Sequence, residues 1–273
     1  MKKLIYRMDD FGSARAANTA ILEGLRTGTM IRNVSVMPPC AFVEEGAEEL
    51  KRYSKQIDIG MHFTITSEWD QVKWGPVLEE TQTAGVTDTN GWFKAALSDF
   101  AKERVDLDQV ILECSAQLDK LTRLGLPIVY VDSHMALEMA IPGLQERFRT
   151  WIASKGLIDA YDYYRLDDPS IPAFAESEED YLDNVETWVK KLPEDIQIWT
   201  AAHPAVASNE TMLFVNTEFP KGIIMNQRHL EYRSVISSRW EQWQAQYDLK
   251  LLRYSEAEPV PNGETELKKL FGF

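Results

Sequence analysis

Short apolar runs alternate along this chain with stretches in which apolar residues recur every three or four positions, from Lys3 to Tyr254. Compact apolar or alternating runs read as strands, and the three-to-four spacing reads as helices that bury one face. Strands are predicted over residues 3–8, 33–37, 57–63, 128–132, 196–201 and 249–254, with an extra short one near 158–161. Between them, Ser13 is placed as the N-cap of a helix carrying Ala17, Ile21 and Leu25 that stops at Gly28. Further helices are predicted over 42–53, 107–124 and from Pro142 to about Lys155. Ser177-Glu178-Glu179-Asp180 opens another in near capping-box style, ending around Lys191. A long amphipathic helix is predicted over 230–247. Strands that alternate with helices imply an α/β protein with a mostly parallel sheet, here a closed or nearly closed TIM-like (β/α) barrel.

From Thr64 to Arg104 the periodicity dissolves. Trp69, Trp74 and Trp92 stand there among Gly, Pro, Asp and Thr. A loop of this length inside a compact domain is usually functional or disordered. Its indoles are candidates for stacking on a substrate ring, and equally for anchoring the loop to the barrel.

Composition narrows the partners. The chain has 273 residues, with 43 acidic against 29 basic side chains and a formal charge of -14. One barrel domain spanning 1–273, with a loop insertion at about 64–104, accommodates that length. The acidity argues against nucleic acid or anionic lipid as partners, which need a basic face. No apolar run approaches the ~20 residues that span a bilayer. The segment Met1 to Arg7 lacks the apolar stretch of a secretory signal. Cys40 and Cys114 fall in core-like sequence and imply no disulfide framework. A cytoplasmic protein handling a small or neutral ligand is expected, with a homodimer as the candidate assembly.

The chemistry lies in a few residues. Of four histidines, His62, His134 and His203 fall at or within two residues of the C-terminal end of a predicted strand, and Asp9-Asp10 ends the first strand. In parallel α/β folds those ends gather on one rim. Each feature has a plain structural reading. Asp9-Asp10 before Phe11-Gly12 also suits an Asx turn, His62 a core histidine bonded to a carbonyl, and His203-Pro204 a rigid turn. His229, inside a helical pattern, reads as a surface or supporting residue. Their shared placement favours function. Two imidazoles and a carboxylate make an open site for a divalent metal. A second carboxylate can act as general base on a metal-bound water, and a further histidine as general acid.

Asp9-Asp10-Phe11-Gly12 followed by Asn18, Gly60-Met61-His62-Phe63-Thr64, Val131-Asp132-Ser133-His134, His203-Pro204 and Arg228-His229-Leu230-Glu231 occur in that order. As a set they resemble the motifs of the YdjC-like carbohydrate deacetylases, which include chitooligosaccharide deacetylases. The resemblance implies a (β/α) barrel related to the polysaccharide deacetylases and a divalent metal, Mg or Zn. It implies Asp10, His62 and His134 as ligands and Asp9 as catalytic base. His203 is then the acid, or the group that steadies the oxyanion. Met135-Ala136-Leu137-Glu138 follow where the family commonly has more histidines, so a reshaped substrate pocket is expected; Ala205 replaces an expected glycine, and neither change removes a proposed ligand.

The reaction expected is hydrolysis of N-acetyl groups on amino sugars or oligosaccharides, with Trp69, Trp74, Trp92 and Arg228 as candidate substrate contacts. Two alternatives compete with it: a metal-dependent phosphoesterase or amidohydrolase on the same rim, and a non-catalytic sugar-binding protein. A phosphate substrate should bring several basic groups to the strand ends, where Arg228 is one of few candidates.

Overall fold

Strand β1 (Lys2–Phe11) organises the fold and is buried from Leu4 to its end. The computed structural model describes residues 1–28, 30–79, 85–100, 104–162 and 175–258. Within them the strands β2 (Asn33–Val36), β3 (Asp58–Phe63), β4 (Ile128–Ser133), β5 (Ile158–Asp159), β6 (Gln197–Ala202) and β7 (Leu249–Leu251) join β1 in one sheet. The order is β5-β4-β3-β2-β1-β6, with β7 paired to β1, and every pairing is parallel. The sheet curls into a barrel-like α/β fold with β5 and β6 as the ends of its path.

Alternation along β1 separates two cores. Leu4, Tyr6 and Met8 join the large cluster beneath the helices, where Tyr6 packs on Trp240. Ile5 joins Tyr130, Trp199, Leu252 and Tyr254 in a second cluster on the other face. Arg7 extends that second face, lying over the Trp199 ring at 5.0 Å. Gly60 in β3 allows this interior to close: an added Cβ would sit 2.2 Å from the Tyr130 ring. A glycine inside a strand commonly marks such an approach.

The helices are α1 (Arg15–Thr27), α2 (Val43–Lys51), α3 (Leu97–Phe100), α4 (Leu107–Arg123), α5 (Leu137–Ala140), α6 (Leu144–Ser154), α7 (Glu178–Lys191), α8 (Ile223–Val235) and α9 (Arg239–Gln246). Ser177 caps α7 as expected, its side chain accepting from the Asp180 amide. Ser13 does not cap α1. Its amide donates to the Asp10 carbonyl in a turn, and Ala14 becomes the N-cap residue.

The predicted helix over 230–247 is two helices. Ser237 bonds back to Ser234 while its hydroxyl accepts from the Arg239 amide, so local serine bonds replace the ladder between α8 and α9. The strand expected over 249–254 ends at Leu251. Beyond it a 3₁₀ turn at Tyr254–Glu256 places the Tyr254 side chain in the second cluster.

The aperiodic stretch is tied down where it is described. Glu113 of α4 accepts from the amides of Val77 (2.8 Å) and Leu78 (3.1 Å), while Gln117 bonds both backbone groups of Thr64. Trp69, Trp74, Val86 and Phe93 are buried. Residues 80–84 and 101–103 of the insertion lie outside the described residues.

Candidate metal centre

The end of β1 turns two neighbouring carboxylates toward one region. Met8 faces Val34 and Phe11 faces Val36, so β1 holds one residue more than β2 between these pairs. That bulge falls on Asp9-Asp10, with Asp10 at φ 63 and Gly12 at φ 100. Asn18 latches the turn: its Oδ1 accepts from the Gly12 amide at 2.7 Å and its Nδ2 donates to the Phe42 carbonyl at 2.9 Å. On the neighbouring strands, register sets His62 beside Asp132. Past β4 the chain turns through Met135 (φ 59) and Ala136 (φ 49), directly after His134. Left-handed non-glycine residues are uncommon and cluster at functional sites.

Asp10, His62 and His134 converge. Asp10 Oδ1 lies 3.6 Å from His62 Nε2 and 3.6 Å from His134 Nδ1, and the two ring nitrogens are 3.2 Å apart. Asp10 Oδ1 is buried with no hydrogen-bond partner among the described residues, whereas Oδ2 pairs with Arg228 Nη2 at 2.7 Å. A buried carboxylate oxygen without a partner is costly unless something else fills that role. Donors bound at 2.0–2.1 Å to a tetrahedral cation stand about 3.3 Å from one another. The three atoms therefore fit a divalent metal in both chemistry and spacing.

A supporting layer holds this triad. His62 Nδ1 faces Asp132 Oδ1 at 2.6 Å, and Asp132 Oδ2 takes Ser35 Oγ at 2.7 Å and Arg7 Nη1 at 2.6 Å. Arg7 also forks onto Asp9, with Nε donating to Oδ1 at 2.5 Å and Nη2 to Oδ2 at 2.7 Å. Burial alone would lower the His62 pKa, but Asp132, with Asp9 and Asp10, outweighs it and raises His62 to about 9. Burial works in the opposite sense on Asp10, yet Arg228 and the three histidines hold its carboxyl well below the usual range. Asp132 is likewise lowered, by Arg7 and His62 acting against burial.

A cleft of about 270 Å³ opens on the triad, lined in part by Asp10, Glu68, Trp69, His134, His203 and Arg228. Arg228 lies over the Trp69 and Phe214 rings (5.8 and 4.9 Å), which stack on each other at 5.4 Å, and its Nη1 is buried with no partner among the described residues. Glu231, one helical turn beyond Arg228, accepts from the His203 amide at 2.6 Å, and burial raises its carboxyl pKa. A larger groove of about 820 Å³ between α4 and α6 shares no lining residue with this cleft, so size alone does not locate the chemistry.

The expected residues divide by placement. Asp10, His134, His203, Trp69 and Arg228 line the cleft, with His62 directly behind Asp10 and His134. Asp9 is buried against Arg7 beside them. Trp74 is buried, its indole 6.2 Å from the His134 ring and bonded to the Thr66 carbonyl at 2.5 Å. Trp92 is 42% exposed and does not line the cleft. His229 accepts from the Ala207 amide, a supporting place. Arg7 and Glu68 escaped the sequence reading. Arg7 carried a signal, being a cation in an apolar strand two residues from Asp9 and so on the same face. Glu68 carried none, since it stands in aperiodic sequence.

The profile of the YdjC-like protein family matches residues 3–246. A carbohydrate deacetylase of Listeria monocytogenes serotype 4a is 27% identical over 246 residues, covering 84% of this chain and 93% of that protein. With carbohydrate deacetylase 1 of Listeria innocua the identity is 30%, over 53% of this chain and 56% of that protein, about half the length of each. A chitooligosaccharide deacetylase of Yersinia enterocolitica is 28% identical over 57% of this chain and 58% of that protein. Among solved structures, an Enterococcus faecalis V583 protein named for cellobiose-phosphate cleavage superposes with a TM-score of 0.65 at 21% identity, covering 93% of this chain and 98% of that one. A Streptococcus mutans CE4 esterase gives a TM-score of 0.54 at 11% identity, over 92% and 85%. Both likenesses establish the barrel-like fold. The chain belongs to the YdjC-like protein family.

Proposed function

We propose that this member of the YdjC-like family is a metal-dependent hydrolase that removes N-acetyl groups from amino sugars or oligosaccharides of the chitooligosaccharide kind. The observation that carries the reading is Asp10 Oδ1, without a hydrogen-bond partner among the described residues and facing two imidazole nitrogens beside a cleft. The carbohydrate and chitooligosaccharide deacetylases among its relatives supply the substrate class. The long core cluster, with members from Leu4 to Leu251, supports one catalytic domain over 1–273.

Asp10, His62 and His134 would hold the metal, Mg or Zn. When bound, such an ion polarises a carbonyl oxygen and acidifies water. Asp9 takes the proton of the water that adds to the acetyl carbon. The Arg7 fork fixes the Asp9 carboxylate, and each of its oxygens keeps a second lone pair. His203 delivers a proton to the sugar nitrogen as the carbon–nitrogen bond breaks, leaving acetate and a free amine. Glu231 holds the His203 backbone through its amide. Trp69 offers an indole wall for a sugar ring, and Arg228 Nη1 supplies a donor for a substrate oxygen. Among the described residues that line the cleft, Arg228 is the one Lys or Arg and is already paired to Asp10, weak provision for a phosphate, so the phosphoesterase alternative loses ground.

The test is release of acetate and free amine from a panel of N-acetylated oligosaccharides, with and without chelator. Release should stop with chelator, return with a divalent ion, and fall by about 10²-fold or more in Asp9→Asn. Turnover that survives chelation, or survives Asp9→Asn, overturns the mechanism.

A further inference from the structure

The two imidazoles of the candidate centre are presented in opposite senses. His62 turns Nε2 toward Asp10 and Nδ1 toward Asp132, whereas His134 turns Nδ1 toward the same place and Nε2 toward Glu68 Oε2 at 3.0 Å. An ionised carboxylate only accepts hydrogen bonds, so the ring nitrogen facing it carries a proton and the other nitrogen is the one left to ligate. Asp132 is itself fixed by Ser35 and Arg7. Glu68 reaches the site from the aperiodic segment, whose neighbouring residues are fastened by Lys73 Nζ on the Ser67 carbonyl and by Gln117 on Thr64.

We infer that Glu68 is a positioning residue that locks His134 as the Nε2–H tautomer, so that His134 ligates through Nδ1 while His62 ligates through Nε2. The inference rests on the metal reading above and extends it to a loop residue with no recognisable motif. Carboxylate partners of ligating histidines fix ring orientation and basicity, and their loss typically costs 10–100-fold in metal affinity. Because Glu68 lies on the insertion and not on a strand, placement of that loop becomes a condition for metal affinity.

Two measurements on the whole protein test this. Long-range ¹H–¹⁵N NMR of the metal-free protein reads the His134 tautomer, and calorimetric titration with Zn²⁺ reads affinity. Wild type should show Nε2 protonated and Nδ1 bare. Glu68→Gln, isosteric and able to either donate or accept, should give mixed tautomers and about 10–100-fold weaker Zn²⁺ binding, with His62 signals unchanged. An unaltered His134 tautomer with Zn²⁺ affinity within twofold of wild type overturns the role of Glu68. Failure of wild type to bind Zn²⁺ or Mg²⁺ overturns the metal reading instead, and the tautomer spectrum still decides the Glu68–His134 pairing.

Discussion

Glu138 lies just past His134 and is 2% exposed. Its Oε2 accepts from Ser133 Oγ, while Oε1 is buried without a partner among the described residues. Burial raises its pKa to about 7, against 4.5 for the free side chain. The folded state therefore favours the neutral acid. That stabilisation is fully present below about pH 4.5 and is lost as pH rises through about 7. Glu138→Gln removes the titration, so relative to wild type the variant should gain stability between pH 4.5 and pH 8, by up to about 3 kcal/mol. Urea unfolding of both proteins across that range checks it; parallel pH profiles would contradict the assignment. At this scale the sequence disclosed residues whose chemistry is conspicuous for their position, such as Asp10 and His134 at strand ends. Glu138 and Glu68 were opaque because nothing local to them differs from a solvated surface carboxylate. Only tertiary burial gives them partners.

Helix α4 does more than cover the sheet. Glu113 is fully buried, and its carboxylate accepts from the Val77 and Leu78 amides and from Gln117 Nε2 at 2.8 Å. One helix side chain thus fastens the far end of the segment that carries Glu68, Trp69 and Trp74. Glu113→Ala leaves two backbone amides without their acceptor and should cost about 2 kcal/mol. Hydrogen exchange at Val77 and Leu78 should accelerate while the amides of β1 stay protected. Protection unchanged at Val77 and Leu78 would mean the segment is held by its buried tryptophans instead. The strands and most helices were legible because their periodicity reflects burial against the sheet. The break between α8 and α9 was not. Apolar spacing runs on through Ser237 and Ser238, and only the serine hydrogen bonds and the buried Trp240 reveal the stop.

Over the whole molecule, the proposed metal site bears on stability through mass action. A ligand at 100 times its Kd stabilises the fold by about 2.7 kcal/mol. Chelation should therefore lower Tm by about 5 °C. His62 at about 9 must lose a proton before its Nε2 can ligate. The Tm difference between metal-loaded and chelated protein should accordingly be larger at pH 8.5 than at pH 6.5, and calorimetry at both values checks this. A difference that shrinks at the higher pH would contradict the role given to His62. The barrel-like α/β class was readable from the alternation of elements; the pairing of β7 with β1 was not, because registry between distant segments leaves no periodic trace. That pairing has a consequence for the order in which the molecule is made. Lys2 to Leu4 bond to Leu249–Leu251 on one side and to Gln197–Ile198 on the other. β1 precedes the other six strands along the chain and completes its ladder only with β7, so the carboxylates at its end wait for the last of these strands before the sheet that fixes them is whole.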